Sequence, residues 1–125
     1  MKLLDTSAWI EFFQGSALGK EVEKVLKEEQ AYTCAITLAE VAKWVQDNKG
    51  DVVFAIGQIK ENSIIIPLEE SILVESGLQY TPLRARNGKI GMIDVIIYVA
   101  ALLHGLELVT KDPDFKRLPF VRMLK

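Results

Sequence analysis

A chain of 125 residues, half of them hydrophobic and 26 % charged, has the size of one domain and the material for a core. Its formal net charge of -2 excludes holding nucleic acid by bulk positive charge alone. One cysteine, Cys34, excludes an internal disulfide or a cysteine-rich zinc site and suits a reducing cytoplasm.

Met1 leads straight into a short apolar strand, Lys2–Leu4, rather than into a secretory leader. Thr6–Phe13 reads as a helix that Gly15 ends. Leu18, Val22, Val25 and Leu26 recur at helical spacing, which predicts an amphipathic helix over Ala17–Glu29. Tyr32–Ile36 is β-branched and aromatic enough for a strand. Thr37–Asn48 follows as a helix with Leu38, Val41, Ala42 and Val45 on one face, and Asn48–Gly50 breaks it. Val52–Glu61 is a short helix, Ser63–Ile66 a strand, and Leu68–Gln79 a helix. Thr81–Lys89 contains Pro82 and Gly88 and reads as a loop.

Gly91–His104 is a helix apolar on nearly all sides, hence central, with Gly105 as its stop. Its longest uninterrupted apolar run, Val95 to Leu103, is well short of the ~18 residues a membrane helix needs. Leu106–Val109 is a strand, Lys111–Asp114 a turn, and Val121–Met123 a last short strand. Strands alternating with helices predict an α/β fold, a three-layer α/β/α sandwich around a mainly parallel sheet.

Four acidic residues stand where a strand or turn hands over to a helix: Asp5, Glu40, Asp94 and Asp112. A parallel sheet brings its strand ends to one edge, and ligand sites form there. Carboxylates gathered at one edge repel one another unless a cation sits between them, and oxygen-only clusters suit Mg²⁺ or Mn²⁺. Each position also has a plainer reading. Asp5 can cap the helix that follows, and capping and metal binding weigh equally there. The spacing Thr37-Leu-Ala-Glu40 is that of a capping box, with Glu40 opposite the apolar stripe. Asp94 lies among apolar neighbours and must cap, pair or bind a cation. Asp112 and Asp114 flank Pro113 in a turn, where aspartate is common. His104 suits a helix C-terminus and has no partner imidazole, and Cys34 reads as a core residue. Trp9, Trp44, Phe12, Phe13 and Phe54 fall on helices as core or interface side chains.

Taken in order, LLDTSAWIEFF, TLAEVAKW, IGMIDVIIYVAALLHG and LELVTKDPDFKRL resemble the motifs of PIN-domain ribonucleases, in particular the VapC-type toxins of VapBC toxin–antitoxin pairs. The resemblance covers nearly the whole chain and implies a single PIN-like nuclease domain over 1–125. It implies Asp5, Glu40, Asp94 and Asp112 as the catalytic and metal-ligating set, with Asp114 as a further ligand and Thr6 and Thr110 in support. The implied activity is an endoribonuclease dependent on Mg²⁺ or Mn²⁺. An antitoxin and a homodimer are implied as partners. Arg84, Arg86, Lys89, Lys111, Lys116 and Arg117 are the cations available to hold RNA phosphates. A phosphoacceptor signalling domain is the rival among α/β folds, and a non-catalytic module of the same fold is the other.

Overall fold

The computed structural model describes residues 1–125 and contains five strands and six helices, with a pair of helices between successive members of the first four strands. The strands are β1 (Lys2–Leu4), β2 (Ala31–Cys34), β3 (Ile64–Ile66), β4 (Glu107–Thr110) and β5 (Val121–Met123). The helices are α1 (Thr6–Gln14), α2 (Ala17–Glu28), α3 (Ala35–Asp47), α4 (Val52–Asn62), α5 (Glu70–Arg86) and α6 (Met92–Leu103). A short 3-10 turn covers Pro113–Phe115. Every strand pairing is parallel, in the order β3-β2-β1-β4-β5, as the alternation predicts.

The sheet separates two cores. Successive strand residues point to opposite faces. Leu3, Cys34 and Leu108 therefore pack with Ile72, Leu83, Val95 and Val99 of α5 and α6. Leu4, Ala31 and Val109 pack on the other side with Trp9, Val22, Val41 and Ile59 of α1 to α4. Chain order turns back on itself at β1: β2 and β3 lie on one side of it, β4 and β5 on the other. Such a switch point opens a crevice beyond the strand ends.

Two shifts of predicted boundaries bear on the site, the others being of one or two residues. The segment 81–89 is not a loop throughout, because α5 continues to Arg86 with Pro82 inside it. Proline removes one helical hydrogen bond, but Leu78, whose carbonyl it leaves free, is exposed to water. Leu83 is buried against the α6 side of the core and carries the helix past the proline. The end is fixed by the Asn87 N–H donating to the Leu83 carbonyl at 2.8 Å. The second shift is at β2, which ends at Cys34 so that α3 begins two residues before Thr37. Thr37 is thus inside the helix and buried, Cys34 occupies the cap position without a side-chain bond, and the capping box with Glu40 does not form.

Candidate active site

Asp5 follows β1 directly and caps α1: its Oδ1 accepts from the Ala8 N–H at 2.9 Å and the Ser7 hydroxyl at 2.7 Å. Its Oδ2 accepts from the hydroxyl of Thr110, the last residue of β4, more than a hundred positions away. The plain reading of Asp5 as a cap and its place at the sheet edge thus hold together. Asp5 is only 4 % exposed. Burial pushes its carboxyl up to about 6, the charge of Asp112 adds to the rise, and the bonds from Thr110, Ser7 and Ala8 oppose it.

Glu40 is half-buried on α3, with Oε1 accepting from the Thr6 hydroxyl at 2.5 Å. The Thr6 hydroxyl also lies 3.2 Å from that of Thr37. Glu40 is therefore held toward α1 by a partner and not by the cap geometry its spacing predicts. Asp94 sits in the first turn of α6, where Oδ2 accepts from the Gly91 N–H at 3.3 Å. That bond is long and leaves the other oxygen free. Burial raises its carboxyl above the ordinary range, the Gly91 N–H works against this, and the charges of Asp112, Glu40 and Asp114 raise it further.

Asp112 opens the 3-10 turn. Its own N–H donates to Thr110 Oγ1 at 2.9 Å and its Oδ1 accepts from the Asp114 N–H at 2.9 Å. One carboxylate oxygen from each of Asp94, Asp112 and Asp114 lies within 4.8 Å of the others. Asp5, Thr6, Ser7, Glu40, Asp94 and Asp112 line one cleft of about 210 Å³, with Ile10 and Ile97 as its apolar walls. The fold thus brings the four acidic positions together, and Asp114 joins Asp94 and Asp112 in the tightest group.

The cations divide. The Lys111 ammonium is bound by Glu11 at 2.9 Å. The Arg84 guanidinium donates to the Ile90 carbonyl at 2.9 Å and lies over the Tyr80 ring. Arg86, Lys89, Lys116 and Arg117 are exposed. They flank the acidic turn, because Asn87 donates its amide to the Asp114 carbonyl at 2.6 Å and so ties the α5–α6 connection to it.

Asn87 was not singled out by its sequence position, and neither were Glu11, Ile10 and Ile97. A glutamate one helical turn after Ser7, within an aromatic stretch, was the available signal for Glu11. Cys34 is a core thiol that burial pushes up, and His104 lies 3.5 Å from Glu69, away from the cleft. Trp9 is buried as predicted, whereas Phe54 is exposed. No helix is long and apolar enough to cross a membrane.

A five-stranded parallel sheet with an acidic cleft at its switch point defines an α/β domain with a candidate site at its sheet edge. The PIN domain model matches residues 2–121, and the chain belongs to the PIN-domain family. Ribonuclease VapC11 of Mycobacterium tuberculosis is 27 % identical over 121 residues, 92 % of this chain and 89 % of that protein. Among solved structures, a toxin–antitoxin complex from Klebsiella pneumoniae superposes with a TM-score of 0.77 at 26 % identity. That match covers 100 % of this chain and 98 % of the other. VapBC2 from Rickettsia felis, solved bound to a DNA fragment from its promoter, gives 0.79 at 21 % identity over 99 % and 98 % of the two chains. The family match sets aside the signalling-domain alternative.

Proposed function

We infer that this protein is a VapC-type PIN ribonuclease, the toxin of a toxin–antitoxin pair, and that it cuts RNA at the cleft between β1 and β4. The observation that carries the reading is the convergence of Asp5, Glu40, Asp94 and Asp112 on one cleft, from positions scattered along the whole chain. The family match and the VapC ribonuclease relatives support it.

The donor set fits a hard divalent cation, Mg²⁺ or Mn²⁺. It is all oxygen, and Asp94, Asp112 and Asp114 stand close enough to share one ion. Burial, and after it the charges of Asp112, Glu40 and Asp114, raises the Asp94 carboxyl. No lysine or arginine forms an ion pair with Asp94, Asp112 or Asp114, which supports a bound cation as their counter-charge. Asp5, Asp94 and Asp112 are the residues proposed to hold the ion, with Asp114 as a further ligand and Glu40 reaching it directly or through water. When bound, such an ion makes water a nucleophile at neutral pH and stabilises charge on the leaving oxygen. Asp5 also joins α1 to the end of β4 through Thr110. Thr6 aims Glu40. Arg86, Lys89, Lys116 and Arg117 hold backbone phosphates, which supplies affinity without sequence choice.

Unpaired RNA is the proposed substrate, because its backbone can be splayed into a cleft that a duplex cannot enter. The protein acts where that RNA is, in the cytoplasm. An antitoxin and a second copy of the chain are the proposed partners. The Klebsiella complex supports the first. Exposed apolar side chains, Val53 and Phe54 on α4 and Leu73, Val74 and Leu78 on α5, offer surface for either.

The test is cleavage of unpaired RNA by the protein freed of antitoxin, with analysis of the fragment ends. Hydrolysis by water leaves the phosphate on the 5′ end of the downstream fragment, and EDTA or Asp94→Asn abolishes cutting. Cyclic-phosphate ends, or cleavage that survives EDTA and Asp94→Asn, would overturn the reading.

A further inference from the structure

Glu11 is a carboxylate with a structural environment but no part in the site just described. It is 6 % exposed, buried on the inner face of α1. Its Oε1 accepts from the Ser16 hydroxyl at 3.0 Å and its Oε2 from the Lys111 ammonium at 2.9 Å. A buried charge is costly unless it is paired, and Lys111 and Ser16 supply the pairing here.

What Glu11 holds is the segment that carries the acids. Lys111 stands between Thr110, which bonds Asp5, and Asp112. Its backbone N–H donates to Ser7 Oγ at 3.1 Å. Ser7 and Glu11 are one helical turn apart and share a face of α1. One face of α1 therefore grips Lys111 at two points, the backbone through Ser7 and the ammonium through Glu11. The next residue along is Asp112.

We propose that Glu11 is a positioning residue: by tethering Lys111 it seats the Thr110–Asp112 segment and sets the Asp112 carboxylate against those of Asp94 and Asp114. This rests on the metal-site reading above. Groups that orient ligands in this way typically change metal affinity roughly 10–100-fold when removed.

Two explanations predict opposite signs for one variant. Lys111→Met deletes a positive charge beside a cation site, so charge alone makes the variant bind a divalent cation more tightly. Loss of the tether makes it bind more weakly. Mn²⁺ titration by calorimetry on the wild type, Lys111→Met and Glu11→Gln reads the difference. Both variants are expected to bind Mn²⁺ at least about 10-fold more weakly. Equal or tighter binding by Lys111→Met overturns the proposal.

Should a single variant fail to fold, Glu11→Met/Lys111→Met removes the buried charge with its partner, a replacement proteins often tolerate. Its net charge is unchanged, so unaltered Mn²⁺ affinity in that folded double variant also overturns the tether. Absence of Mn²⁺ binding by the wild type would instead sink the metal-site reading itself, so the two failures are distinct.

Discussion

Asp5 and Glu40 show how much a single residue's role depends on its partners. The Asp5 carboxyl is raised from its ordinary 3.8 to about 6, chiefly by burial. In metal-free protein a carboxyl raised by the fold contributes stability that is full below its unfolded value and lost as pH rises through the folded one. The window is thus pH 3.8 to about 6, and each unit is worth about 1.4 kcal/mol. Glu11 and Glu29 are shifted downward by their cationic partners and act with the opposite sign, so the clean readout is a difference. In EDTA, the gap in stability between Asp5→Asn and the wild type should move in favour of the variant as pH rises across that window. Urea melts at several pH values measure it, and a gap that stays constant with pH would refute the assignment. Glu40 makes no cap, so Glu40→Gln should leave the melting temperature nearly unchanged while cleavage falls roughly 10–100-fold. Retained cleavage would move Glu40 to a purely structural role.

At the scale of elements, α5 and the α1–α2 corner carry the informative irregularities. Pro82 interrupts the hydrogen-bond ladder of α5 while Leu83 keeps the helix docked. An interior proline costs a helix about 3 kcal/mol, part of which it returns by stiffening the unfolded chain. Pro82→Ala should therefore raise the denaturation midpoint by the equivalent of about 1–2 kcal/mol. A lowered midpoint would mean that the backbone geometry Pro82 imposes is needed for packing on α6. Gly19 does the opposite job: a Cβ there would lie 2.1 Å from the Glu11 carbonyl, so α1 and α2 meet closely only because the residue is glycine. Gly19→Ala should destabilise the protein by at least about 1–3 kcal/mol, as overpacking does, and thermal melts would show it.

For the whole molecule, the carboxylate group makes stability depend on the medium. A divalent ion that binds only the folded chain stabilises it by about 2.7 kcal/mol at a hundredfold excess over Kd. Saturating Mg²⁺ or Mn²⁺ should accordingly raise the melting temperature by several degrees, and Asp94→Asn with Asp112→Asn should cancel the rise. No shift in the wild type would count against a shared ion site. The exposed cations Arg86, Lys89, Lys116 and Arg117 lie beside the acidic turn, so positive charge is placed locally next to the cleft in a chain of net charge -2.

The sequence by itself determined the order and kind of the elements, the parallel sheet and the positions of the acidic residues. Those features are written in short-range periodicity: spacing of about four for helices, two for strands, and polar residues at the junctions. The tertiary structure decided which of those residues meet. β1 pairs with β4 through Lys2 and Glu107, and no local pattern announces a partner that distant. From that pairing follow the Thr110–Asp5 bond, the capture of Lys111 by Glu11, and the place of Asp114 beside Asp94 and Asp112. The two boundary shifts have the same origin. Burial of Leu83 and of Thr37 outweighs the local signals of Pro82 and of the Thr37–Glu40 spacing, because packing energy is collected from neighbours the local sequence does not contain.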